Sequence, residues 1–260
     1  MSTAAARAVL SAELIKIRTV RSTLWTPLLT FVISVGISLV FAMAFHDRFS
    51  AMPPDQQRSF DPVMAGFYGL TFGQLMLVAF GVLTVSSEYT TGMIRASLAA
   101  VPRRGAFYAA KTLAGTLVAA AVSVLTTVVT FFTAQSTLGP HGVSLGDPGV
   151  LRATLGTCLY MTLICAFSIG VATMLRSSVL SLGILIPLFF IVSPVLANIP
   201  ALRAVAQYLP DQAGLQIMRV VPRTTDLGHD MGPLAGLLVL VGWTAASLLG
   251  GYLLLRRRDA

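Results

Sequence analysis

An all-α polytopic membrane protein with six transmembrane helices is the fold class this sequence predicts, and three observations predict it. The chain of 260 residues is 55% hydrophobic and only 11% charged, with a mean hydropathy of +0.81, a composition that a water-solvated globule does not sustain. Six apolar runs reach the length of about 20 residues that a helix needs to cross a hydrocarbon core of about 30 Å. None of them holds a Lys, Arg, Asp or Glu, and none shows the short alternating pattern, about ten residues long, of a barrel strand.

The runs are Leu24 to Phe45, Val63 to Ser86, Thr112 to Gln135, Ala153 to Leu175, Val179 to Ala197 and Gly232 to Leu255. Lys and Arg between spans gather on the cytoplasmic side. With the amino terminus inside, that side holds Arg7, Lys16, Arg18, Arg21, Arg95, Arg103, Arg104, Lys111, Arg176, Arg256, Arg257 and Arg258, twelve of the 18 basic residues. Arg48, Arg58, Arg152, Arg203, Arg219 and Arg223 fall outside, diluted by seven aspartates. Both termini are therefore expected in the cytoplasm, and residues 1–260 are read as a single transmembrane domain.

Each flank has its own pattern. Residues 1–23 place Leu10, Leu14 and Ile17 beside Glu13, Lys16, Arg18 and Arg21, the spacing of an amphipathic helix lying in the interface with Trp25 at the boundary. Ala42-Met43-Ala44 resembles a signal-peptide cleavage site, but the apolar run and its charged lead are both longer than such a signal needs. The first run is thus expected to remain as a span. Residues 198–231 are too apolar for a plain loop and predict short helices resting on, or dipping into, the outer surface.

Small residues recur every fourth position at Ala65, Gly69 and Gly73, and again at Gly242, Ala246 and Gly250. Such stripes let helix backbones approach, within one bundle or between two copies. Pro187 and Pro194 each remove a backbone donor from the fifth span and can kink it.

Several chemistries are absent. The net charge of +8 is spread between apolar runs rather than collected on a face with stacking aromatics, which argues against nucleic acid. Cys158 and Cys165 lie about 10 Å apart along one helix, too far to bridge, and are read as packing thiols. His46, His141 and His229 lack metal-ligand spacing, so neither a metal site nor a catalytic residue is expected. Gln74 and Gln135 are the strongest polar groups at depth, and the lack of ionisable groups in the runs weighs against a proton-driven carrier. Gly105 to Thr112, GAFYAAKT, differs from a phosphate loop by one glycine, but no buried strand precedes it and a span follows, so no nucleotide site is expected.

The segment 87–111 departs from the rest. Thr90-Thr91-Gly92 breaks the second span where glycine can take angles that other residues resist. MIRASLAA then forms a short helix closed by Val101-Pro102-Arg103-Arg104, and Lys111 is expected to snorkel its amine to the headgroups. Glu88, Gly92, Leu98, Pro102, Arg103, Arg104 and Lys111 together resemble the first cytoplasmic loop of the permease subunits of type-2 ABC exporters. AELIKIRTVRSTLW resembles the interfacial helix and first span of such permeases from high-GC Gram-positive bacteria.

The resemblance implies a permease in the bacterial cytoplasmic membrane that binds no cofactor itself, with ATP and Mg on two copies of a separate ATP-binding subunit and a second permease copy or paralogue beside it. It makes the helix after Gly92 the coupling helix. Glu88 would pair with Arg95 or with a basic group on a neighbouring helix, Ile94 and Leu98 would contact the ATPase, and Tyr89, Arg95, Arg103 and Arg104 complete the coupling set. The second and fifth spans would line a path for a hydrophobic small molecule, with Phe67, Tyr68, Phe72, Gln74, Phe189 and Phe190 as candidate lining residues. The alternatives are a stand-alone carrier or channel, separable by transport without ATP, and a non-transporting scaffold.

Overall fold

The structure is a computed structural model that describes residues 3–101, 103–221 and 231–257. Pro102, Arg258, His229 and the stretch 222–230 of the outer segment lie outside the described residues. Among the described residues every regular element is helical: α1 (Thr3–Thr19), α2 (Arg21–Arg48), α3 (Pro54–Arg58), α4 (Pro62–Gly66), α5 (Leu70–Thr90), α6 (Met93–Ala100), α7 (Arg104–Leu138), α8 (Val150–Leu175), α9 (Ser178–Pro187), α10 (Ser193–Asn198), α11 (Pro200–Ala206), α12 (Pro210–Met218) and α13 (Pro233–Arg257). Six helical stretches are long and apolar enough to cross a membrane.

The helix ends follow local chemistry. Val20 is extended and separates α1 from α2. Asp61 caps α4 by accepting from the Val63 and Met64 amides, both at 3.0 Å, and proline opens α3 and α4 where its missing N–H has no helical partner to lose. The second apolar run is divided, with α4 ending before a turn that leads into α5. Pro187 closes α9, and a π-helical turn, Leu188–Val192, precedes Pro194 in α10. The fifth span is thus irregular where its two prolines predict it. The third span begins at Arg104, not Thr112, and the second continues to Thr90, so Lys111 and Glu88 are helical residues of the spans themselves.

Helix α8 holds the middle of the bundle, packed by α5, α7, α12 and α13, while α2 lies against α5 and α7. The stripe of the second run serves packing inside the bundle. A Cβ on Gly69 would stand 2.2 Å from the Ser34 carbonyl oxygen and 2.4 Å from the Ser38 nitrogen, and the Gly69 amide donates to Ser38 Oγ at 3.1 Å. The stripe of the sixth span is divided: a Cβ on Gly242 meets nothing within 4 Å, while one on Gly250 would stand 2.7 Å from Met174 Sδ, and α13 buries Gly236, Leu240, Thr244, Ser247 and Gly251.

Between the fifth and sixth spans the short helices include one that is buried in the bundle. α12 wedges against α8 and α13, with Gly214 so close to the Tyr160 ring that a Cβ would stand 2.1 Å from it. Arg152 donates to the carbonyls of Ile217 at 3.2 Å and Arg219 at 2.6 Å, and the second carboxylate oxygen of Asp61 accepts from the Val220 and Val221 amides.

Candidate functional site

At the end of the bundle that carries α1 and the last turn of α13, four charged side chains from three helices meet. Glu13 and Lys16 come from α1, Glu88 from the last turn of α5, and Lys111 from the third turn of α7. Lys111 Nζ lies 2.6 Å from Glu13 Oε2 and 2.9 Å from Glu88 Oε1, and Lys16 Nζ lies 2.8 Å from Glu13 Oε1 and 2.8 Å from Glu88 Oε1. Glu13, Glu88 and Lys111 are almost wholly buried, 4%, 4% and 3% exposed, while the Lys16 side chain keeps 32% of its surface.

The group sums to zero charge, which is why it persists in a setting where a lone buried ion would be neutralised. Burial alone would pull the Lys16 amine down, but its hydrogen bonds to Glu13 and Glu88 and their charges outweigh that effect and hold it above the usual lysine value. Beneath the tetrad lies the Phe107 ring, with Lys111 Nζ at 5.3 Å and Lys16 Nζ at 5.9 Å from its centroid, both within cation–π range.

α6 is joined to this base directly. Lys16 Nζ donates to Ser97 Oγ at 3.1 Å. Gly92 takes the left-handed conformation, φ 71°, at the start of α6, where only open space surrounds it. Conformational freedom, not room, makes glycine fitting there. Tyr89 packs on both sides of the turn and lies under the Arg176 guanidinium at 5.4 Å, which ties in the turn between α8 and α9.

The predicted coupling residues separate into two faces. Ile94 is only 5% exposed and is packed with Phe107, Tyr108 and Leu255, and Leu98 rests on the same cluster. On this eight-residue helix lying over a bundle, the apolar stripe goes to the chain's own core, fully for Ile94 and in part for Leu98. Met93, Arg95, Ala96, Ala99 and Ala100 form the exposed face. Glu88 pairs with Lys16 and Lys111 rather than with the exposed Arg95. Arg103 caps α7 through its carbonyl, and Arg104 Nη1 donates to the Leu255 carbonyl at 3.0 Å, pinning α7 to the end of α13. Lys111 does not snorkel, because two carboxylates hold its amine. Gly105 to Thr112 is continuous helix, so no phosphate loop forms there.

The six candidate path residues do not form one surface. Phe67 and Phe189 are buried against Phe131 and Phe167, and Gln74 accepts a hydrogen bond from the Tyr160 hydroxyl inside the bundle. Those three sit as core residues of the single chain. Tyr68, Phe72 and Phe190 remain outward-facing as an aromatic strip, with Phe72 and Phe190 edge-on at 5.9 Å.

Glu13 and Lys16 were not singled out as site residues from the sequence. The available signal was Glu13 itself, the sole carboxylate before Asp47 and an unfavourable residue on a helix meant for anionic headgroups.

A sequence profile described as ABC-2 family transporter protein matches residues 9–193, from α1 through the π turn of the fifth span to the start of α10. The chain belongs to the ABC-2 transporter family. It is a membrane-spanning permease subunit of a family whose members carry no nucleotide-binding domain of their own and which implies an ATP-binding partner in general. A search of curated proteins returns no match. Within this ABC-2 permease, the matched region contains all four members of the charged tetrad and the whole of α6.

Proposed function

We propose that this ABC-2 permease is the membrane half of an ATP-driven exporter in a bacterial cytoplasmic membrane, with its tetrad end in the cytoplasm and α6 as the helix that receives the motion of a separate ATPase. The observation that carries the proposal is the Glu13–Lys16–Glu88–Lys111 tetrad with its Lys16–Ser97 link. A helix that only closed a loop would need no such base, whereas one that must pass force into α1, α5 and α7 together needs a stiff, buried connection. The contact face is Met93, Arg95, Ala96, Ala99 and Ala100, with ATP and Mg held by two ATPase copies and a second permease chain, identical or paralogous, completing the assembly.

The outward aromatic strip of Tyr68, Phe72 and Phe190 supports a hydrophobic small molecule, such as a drug-like or lipid-like compound, as the cargo. Affinity purification from the native membrane tests the reading. A stoichiometric ATPase is expected, reduced at least about tenfold by Met93→Asp combined with Arg95→Glu, since loss of a central anchor costs more than about 2 kcal/mol. Transport by the purified chain alone without ATP would replace this proposal with a stand-alone carrier.

A further inference from the structure

On the lateral surface of the bundle, α7 and α13 leave between them an open groove of about 530 Å³, bounded by Gly105 to Thr116 on one side and Leu248 to Tyr252 on the other. That is the volume of a small-molecule site, about 300–1,000 Å³. Small residues on α7 make the space: a Cβ on Gly105 would stand 3.2 Å from the Tyr252 ring, and the exposed Ala109 offers only a methyl group.

Gly105 and Thr116 lie eleven residues apart, about 16 Å along a helix axis at about 1.5 Å per residue. Half of a hydrocarbon core about 30 Å thick is about 15 Å, so the groove has the length of one leaflet's acyl layer. Its wall carries no charge. The hydroxyls along it belong to Tyr108, Thr112, Thr116 and Tyr252; Tyr108 donates to the Leu248 carbonyl at 3.0 Å, and Tyr252 accepts from Arg256 Nη1 at 3.3 Å. Neutral hydroxyls select no sign of charge, and selection falls to the mouth.

At the mouth one sign prevails. The Arg256 guanidinium lies over the Tyr252 ring, 5.5 Å from its centroid, Arg104 adjoins Gly105 and is held to the end of α13, and Arg103 and Arg257, next to them in the chain, are exposed. Among the described residues no carboxylate pairs with Arg103, Arg256 or Arg257, because Glu13 and Glu88 are held by Lys16 and Lys111. In the sequence Arg258 and Asp259 cancel, and the excess stays positive. An uncharged furrow one leaflet deep beneath a cluster of guanidiniums has the polarity of a phospholipid whose headgroup is a net anion, with its chain below and its phosphate above.

We propose that the groove between α7 and α13 binds one anionic phospholipid, an acyl chain lying along α7 and the phosphate meeting the guanidiniums of Arg256 and Arg257. A zwitterionic lipid offers the same chain, but its ammonium is repelled by the arginines and it is held less tightly. The site is independent of the exporter reading and goes beyond it.

The test uses the full chain in mild detergent, offered equal amounts of phosphatidylglycerol, phosphatidylethanolamine and phosphatidylcholine with identical chains, and counts retained lipid by native mass spectrometry. Phosphatidylglycerol is expected to be preferred about tenfold, the worth of a charge-assisted hydrogen bond. Arg256→Gln with Arg257→Gln should abolish that preference by removing the guanidiniums, and Ala109→Trp should abolish it by filling the groove while leaving every arginine in place. Arg7→Gln with Arg18→Gln removes the same charge from exposed positions of α1 and should keep the preference. If the Arg256 and Arg257 variant fails to fold, Ala109→Trp alone decides. Equal retention of the three lipids by the parent chain overturns the proposal. So does a preference that survives Ala109→Trp, or one lost equally in the α1 variant, which would assign it to the basic surface at large.

Discussion

Replacing Lys111 by Met removes the one member of the tetrad that is both fully buried and bound to both carboxylates. Its side chain is 4% exposed, and Glu13 and Glu88 are exposed by 5% and 6%, so water cannot take over its contacts. The two carboxylates would share Lys16 alone and leave one net negative charge inside. Breaking a buried ion pair in this way costs about 3–5 kcal/mol. Lys16→Met removes a similar set of distances, but with 32% of that side chain exposed solvent screens the loss, and about 1 kcal/mol is expected. For a chain of this size about 2–4 °C follows each kcal/mol, giving a drop in Tm of roughly 6–20 °C for Lys111→Met against roughly 2–4 °C for Lys16→Met. Cys165, fully buried and free, provides the assay: a fluorogenic thiol dye reaches it only as the bundle opens. Adding Glu13→Gln to Lys111→Met restores charge balance between Glu88 and Lys16 and should recover at least half of the loss. Equal shifts for the two lysine variants, or a Glu13→Gln change that deepens the loss, would refute the buried-tetrad argument.

Other expectations follow from the same contacts. Gly69→Ala drives a methyl into the backbone of α2 and should cost about 1–3 kcal/mol by overpacking, whereas Gly242→Ala, facing open space, should be neutral or stabilise by about 0.4–1 kcal/mol; chemical denaturation in detergent compares the pair. Ile94→Asp buries an unpaired charge in the cluster of Phe107, Tyr108 and Leu255 and should lower Tm, while Met93→Asp leaves Tm within about 2 °C of the parent because exposed substitutions rarely exceed about 0.5 kcal/mol. Burial holds the Asp211 carboxyl above the usual aspartate range despite the hydroxyl it accepts from Ser193 at 2.6 Å. A raised value means that its contribution is greatest in acid and is lost as pH rises through the folded-state pKa. Asp211→Asn should flatten the Tm–pH curve above about pH 4 without lowering Tm at pH 7. The Lys16 amine, held above its usual value, keeps its stabilisation throughout the neutral range and loses it only as pH rises through that raised value, visible as an alkaline fall in Tm that Lys16→Met lacks.

Hydropathy made the six spans readable, because a bilayer imposes one length on every crossing helix. Gly92 was readable for a comparable reason, since a sharp exit from α5 needs a left-handed residue. Partners distant in sequence were not. Glu13 meets Lys111 across 98 positions, and no local pattern encodes that meeting; what the sequence displayed was only the pair Glu13 and Lys16 three residues apart. The face that α6 turns to the bundle was not legible either, because apolar residues on a short surface helix suit a partner and the chain's own core equally well, and Phe107, Tyr108 and Leu255 come in from two other helices. The neighbours of Gln74 and Phe67, which the resemblance places on a path, were equally hidden: Tyr160 and Phe131 come from other helices.

The unbroken course of α7 has a mechanical consequence. Its 35 residues span about 52 Å at about 1.5 Å per residue, and Lys111 divides that rod into about 10 Å below and about 40 Å above. Clamped at Lys111 by two carboxylates and tied at Arg104 to the end of α13, the rod lies against α2 and α8 beyond the clamp. A displacement delivered at the α6 end would therefore carry those helices along with α7 rather than pivot it alone.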